Sequence, residues 1–147
     1  MPSSRIATST LAGFADHDLR LATAALLVHA AAIDGKVSDA ERVKLGHLLR
    51  QRFELDEAAA RELIEQATAA DEKAIDLYRF THLLNGSLGE NERLRMIEMM
   101  WAVTYADGAA SEFENKLIWR VADLLGVSST ERIALRHRVA AQVSHGA

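Results

Sequence analysis

The sequence predicts an all-α, single-domain bundle of about seven helices, built from two pseudo-symmetric helix–turn–helix halves. Three observations carry this. Apolar residues recur at helical spacing through every long segment, and no stretch alternates with the period of a strand. The only proline is Pro2, so nothing interrupts a helix from within. Finally, one short turn occurs twice. Asp34-Gly35-Lys36-Val37-Ser38-Asp39-Ala40-Glu41 is answered 73 residues later by Asp107-Gly108-Ala109-Ala110-Ser111-Glu112-Phe113-Glu114. The flanks match as well: at that offset Leu26 meets Met99, Ala30 meets Val103, Leu45 meets Ile118 and Leu48 meets Val121. Matching turns with matching flanks point to an internal repeat.

A chain of 147 residues forms one domain and buries roughly 68–70% of its unfolded surface, enough for a core without covalent staples. Residues 1–15 are expected to be a tail or short leading turn, and residues 16–147 the helical domain. The chain has no cysteine, which excludes disulfides, thiol catalysis and thiolate metal sites and fits a cytoplasmic location. The net charge of −4, with both signs interspersed, argues against a nucleic-acid-binding surface. The longest apolar run, Leu21 to Ile33, is 13 residues long, shorter than the ~20 a membrane span needs.

Helix 1 is expected from Asp16–Asp18 to Ile33, with Leu19, Ala22, Leu26, Ala30 and Ile33 on one face. Asp34-Gly35 stops it, because glycine tolerates the left-handed backbone common just past a helix end. Helix 2 starts at Ser38. Ser38-Asp39-Ala40-Glu41 has the form of a capping box, in which the serine oxygen accepts a backbone N–H and the glutamate reaches back to the serine N–H. Its stripe is Leu45, Leu48, Leu49 and Phe53. Helix 3 runs from about Asp56 to Ala70, with Ala59, Leu63, Ile64 and Ala67 inward. Helix 4, from about Ala74 to Leu84, offers Ile75, Leu77, Tyr78, Leu83 and Leu84, and Asn85-Gly86-Ser87 is expected to turn the chain. Helix 5 runs from Glu90 to Ala106. It is apolar on two sides, through Leu94, Ile97 and Trp101 and through Met96, Met100 and Val103, which marks a buried central helix. Ser111 opens helix 6 with a second capping box, and Phe113, Leu117, Ile118, Val121, Leu124 and Leu125 form its face. Gly126 ends it, and Ser128-Ser129-Thr130-Glu131 caps helix 7, which runs to about Val143.

An A-x-D-G-x-x-S-x-x-E turn between amphipathic helices, present twice in an all-helical chain, resembles the TerB family, the tellurite-resistance protein B group. The matching residues are Ala32, Asp34, Gly35, Ser38 and Glu41, then Ala106 (displaced by one), Asp107, Gly108, Ser111 and Glu114. Leu125-Gly126-Val127-Ser128 looks like the L-G-apolar-S segment that follows in that family. The resemblance covers roughly residues 18–143. It implies a small helical bundle, a link to tellurite resistance or general stress response, and association with other resistance proteins at the inner membrane. It also implies an acidic surface that holds metal, and it implies no enzyme activity.

The candidate site is the pair of acidic turns. Asp34, Glu41, Asp107 and Glu114 converge if the halves pack about a pseudo-two-fold axis. Four carboxylates without thiol or paired histidine suit a hard divalent cation such as Ca²⁺, Mg²⁺ or Mn²⁺. Against this stands a purely structural reading, in which the glutamates complete caps and the aspartates shape turns. Neither copy fits the calcium loop of an EF-hand. Lys36 is the only base inside either motif and Ala109 stands in its place in the second, so the second turn is the less compensated.

None of the six histidines (His17, His29, His47, His82, His137, His145) lies three residues after a glutamate, so the helical di-iron signature is missing. His29 is expected to be a hydrogen-bonded core or boundary residue. Trp101, Trp119, Met96, Met99 and Met100 read as core rather than as a partner groove. Arg132, Arg136, His137 and Arg138 read as a solvated face, with an anionic headgroup or phosphate as the alternative partner.

The expected function is therefore a non-enzymatic stress-response adaptor that holds a divalent cation, works with other proteins and sits at the inner membrane through them. The alternatives are a metal-dependent hydrolase using the same carboxylates, and a co-chaperone-like interaction domain without metal.

Overall fold

Backbone is described in the computed structural model for residues 2–33, 35, 37–72, 77–107 and 111–146, and side chains for 17–33, 35, 37–70, 78–106 and 111–142. Seven α-helices follow one another: α1 (Pro2–Ala32), α2 (Asp39–Phe53), α3 (Glu57–Glu72), α4 (Leu77–Ser87), α5 (Glu90–Thr104), α6 (Glu112–Leu125) and α7 (Ser129–Gly146). A 3-10 turn, Tyr105–Asp107, extends α5. Among the described residues there is no strand, and no helix is long and apolar enough to cross a membrane.

Short polar side chains set the helix starts. Ser38, Ser111 and Ser128 each accept from the backbone N–H three residues on, and Asp56 Oδ1 accepts from Ala59 N at 2.8 Å to start α3. Left-handed residues set two of the ends. Gly126 (φ 74°) closes α6 and sends Val127 N to Ala122 O at 2.9 Å. Glu54 does the same for α2 at φ 53°, a conformation uncommon for a residue with a side chain.

The centre of the bundle is α1, packed against α2, α3, α4, α5 and α6. Residues 22–28 are buried on every side, as are Ala30 and Ala31. The sequence suggested one inward face for this helix. Its alanines are small enough for neighbours to approach on all flanks, so the stripe became a full circumference. Helix α5 is the second centre, as expected: Met96, Ile97, Met99, Met100, Trp101 and Val103 are buried, and the methionines and Trp101 are core.

Five expectations need correction. First, α1 begins at Pro2, not near Asp16–Asp18; proline suits the first helical position, and the residues after it include several good helix formers. Second, Asn85-Gly86-Ser87 does not turn the chain but forms the last residues of α4. Asn85 donates from Nδ2 to the Leu124 carbonyl at 2.8 Å, and Arg93 donates to the Asn85 carbonyl at 3.1 Å. These tertiary bonds hold the segment helical, and the chain breaks instead at Leu88-Gly89. Third, Phe113 and Tyr78 are exposed rather than inward, Phe113 at 63%. Fourth, on α3 Ala60 is the buried alanine and Ala59 is half-buried. Fifth, Arg132 is not on a solvated face: it is only 5% exposed. It donates to the carbonyls of Trp119 (3.2 Å) and Val127, pairs with Asp123 at 2.8 Å, and lies 4.6 Å from the Trp119 ring centre. Of its neighbours, Arg136 donates to Tyr105 Oη at 3.0 Å beneath the Trp101 ring, whereas His137 and Arg138 are exposed as expected. His29 is half-buried, in line with a boundary role.

Candidate functional site: two matching helix starts

The repeated turn gives two helix starts with the same local geometry. Ser38 sits at φ −72°, ψ 165° and Ser111 at φ −74°, ψ 166°. In the first, Ser38 N donates to Glu41 Oε1 at 2.9 Å and Glu41 N donates to Ser38 Oγ at 3.1 Å. In the second, Ser111 N donates to Glu114 Oε1 at 2.7 Å and Glu114 N donates to Ser111 Oγ at 3.1 Å. Both glutamates are only 4% exposed. A buried carboxylate is costly, and charge-assisted bonds from backbone N–H together with the positive end of the helix dipole reduce that cost. The third box, at Ser128 and Glu131, makes the same two bonds near the surface, with Ser128 exposed and Glu131 half-buried. Burial of the glutamate therefore separates the repeated turns from an ordinary cap.

Helix α2 packs against the 3-10 turn that leads into the second turn, and α1 touches α6. Glu41 is on α2 and Glu114 on α6. Asp34 lies outside the described residues, and so does the side chain of Asp107, whose backbone ends the 3-10 turn. Among the described residues no group of three or more His, Asp or Glu side chains could hold a metal ion.

Sequence reasoning passed over Asn115. It follows Glu114 in the first turn of α6, and its Oδ1 is buried with no hydrogen-bond partner among the described residues. Arg42 occupies the equivalent position after Glu41. The residue following the capping glutamate is thus cationic in one copy and a neutral oxygen donor in the other. A groove of about 580 Å³ borders the first turn, largely apolar, with Arg42, Glu65 and Thr68 among its polar side chains.

Comparison with known proteins adds one positive finding. The family model described as Tellurite resistance protein TerB matches residues 20–137. No curated protein and no solved structure matches the chain significantly.

Proposed function

Because the chain belongs to the TerB family of tellurite resistance proteins, we propose that it is a non-enzymatic stress-response adaptor that binds a divalent cation at its two acidic turns. It acts through other proteins rather than nucleic acid, and through them at the inner membrane. One observation carries the cation reading: the two turns each bury a glutamate at 4% exposure with the same bonding. The donor set contains oxygen only, which suits Ca²⁺, Mg²⁺ or Mn²⁺. Glu41 and Glu114 would hold the ion together with Asp34 and Asp107. The unpartnered Asn115 oxygen adds a neutral donor beside the second turn, where the sequence also has Ala109 in place of Lys36. An ion there would supply charge neutralisation. The hydrolase alternative draws no separate support from these groups, because Glu41 Oε1 and Glu114 Oε1 each accept from a backbone N–H.

The test is a thermal melt in chelator, repeated after adding each cation, on wild type and on Asp107→Asn with Glu114→Gln. An ion that binds only the folded chain adds ~2.7 kcal/mol at a hundred-fold excess over Kd. For a chain of this size that raises the midpoint by roughly 5–10 °C. The double variant should lose the shift. No shift in wild type, or equal shifts in both proteins, rejects the cation.

A further inference from the structure

The face formed by α2 and α3 carries a groove of about 540 Å³. Its α2 wall carries two cations, Arg42 and Arg50, with Gly46 and His47 between them. Arg42 and Arg50 are exposed, and neither side chain has a hydrogen-bond or ion-pair partner among the described residues. This contrasts with the arginines elsewhere that are paired, Arg52 with Glu92, Arg138 with Glu98 and Arg132 with Asp123. The groove also has an apolar strip. Val43 is 73% exposed at its edge, and Ala60 and the half-buried Ile64 line it from α3. A Cβ added at Gly46 would meet nothing within 4 Å, so the middle of the α2 wall is open. The α3 wall bears Glu57, Arg61 and Glu65, and there Arg61 is taken up by Glu57 at 3.5 Å. The groove runs on into the one beside the first turn, with which it shares Arg42, Ile64 and Glu65.

We propose that this groove docks an acidic amphipathic helix of a partner protein. The commitment to a helix rests on spacing. Arg42 and Arg50 are eight residues apart on α2, about 12 Å along its axis, which is two helical turns of a partner lying alongside. Glutamates two turns apart on such a helix meet the two guanidinium groups. Leucines between them on the same face cover Val43 and Ile64, and the small Gly46 and Ala60 let the backbones approach. Glu65 on the opposite wall orients the ligand, because it favours a basic residue on the partner's other flank. The proposal supplies the surface that the adaptor reading requires but does not depend on the cation.

The probe is a fluorescein-labelled synthetic helix with two glutamates two turns apart flanking two leucines, and a control with lysines in place of the glutamates. Binding is followed by anisotropy, and the site is mapped by backbone amide shifts on the full chain. The glutamate helix should bind, weaken as salt is raised, and shift the amides of Gly46, His47, Ala60 and Ile64. Arg42→Glu with Arg50→Glu should lower affinity by about tenfold or more. Both positions are exposed, so the thermal midpoint without added cation should hold. Gly46→Gln fills the groove without changing charge and should also reduce binding. Failure of the glutamate helix to bind, equal binding by the lysine control, amide shifts elsewhere, or indifference to the variants overturns the proposal and leaves the cation test standing.

Discussion

Ser38→Ala, Ser111→Ala and Ser128→Ala form a graded experiment on one motif. Each removes a hydroxyl that accepts from the N–H of the glutamate three residues on, at 3.1, 3.1 and 3.2 Å respectively. Loss of an N-cap costs ~0.5–2 kcal/mol, typically ~1. What differs is the surroundings. At Ser38 and Ser111 the glutamate is buried, so water cannot easily replace the lost acceptor and the orphaned N–H carries its own penalty. At Ser128 the cap is exposed and water substitutes. The first two variants should therefore cost about 1–2 kcal/mol each and the third about 0.5. Since the cap dihedrals agree within 2° and the bond lengths within 0.2 Å, the costs at Ser38 and Ser111 should agree within about 0.5 kcal/mol. Urea denaturation followed by circular dichroism gives all three values, and for a chain of this size 1 kcal/mol also moves the thermal midpoint by roughly 2–4 °C. A Ser128→Ala cost equal to or above the other two would refute the link between burial of the glutamate and the value of the cap.

Trp101 is 1% exposed and its indole N–H has no partner among the described residues, so Trp101→Ala should cost ~3–5 kcal/mol through lost packing; chemical denaturation measures it, and a cost under about 1 kcal/mol would contradict the buried placement. Arg132→Ala should cost about 2–4 kcal/mol, since two carbonyls and the Trp119 face lose their partner, whereas Asp123→Ala, which removes the solvent-exposed member of the pair, should cost less than about 1 kcal/mol. Paired unfolding curves test that asymmetry, and equal costs would mean that the ion pair, not the carbonyl bonds, holds Arg132.

The sequence by itself determined the class, the family and the capped starts of α2, α6 and α7. Helical periodicity is a local signal, and a capping box is made by residues three apart, so Ser38, Ser111 and Ser128 were legible before any tertiary contact. Trp101 and the methionines of α5 were legible because a helix apolar on two sides has nowhere to go but the centre. Other features were decided by contacts between residues far apart in the chain. Asn85-Gly86-Ser87 has the composition of a turn, yet a bond to Leu124, 39 residues away, keeps it helical. Arg132 looks like a surface base, but the carbonyls of Trp119 and Val127 and the Trp119 ring draw it inward. Phe113 lies among apolar residues in sequence and still faces water, because only the packing of α6 against α4 and α5 decides which side of that helix is covered. The acidic turns divide in the same way. Their bonds were written in the spacing of serine and glutamate. The burial of both glutamates, the Asn115 oxygen unpartnered among the described residues and the contact of α2 with the 3-10 turn arise only when distant helices are brought together.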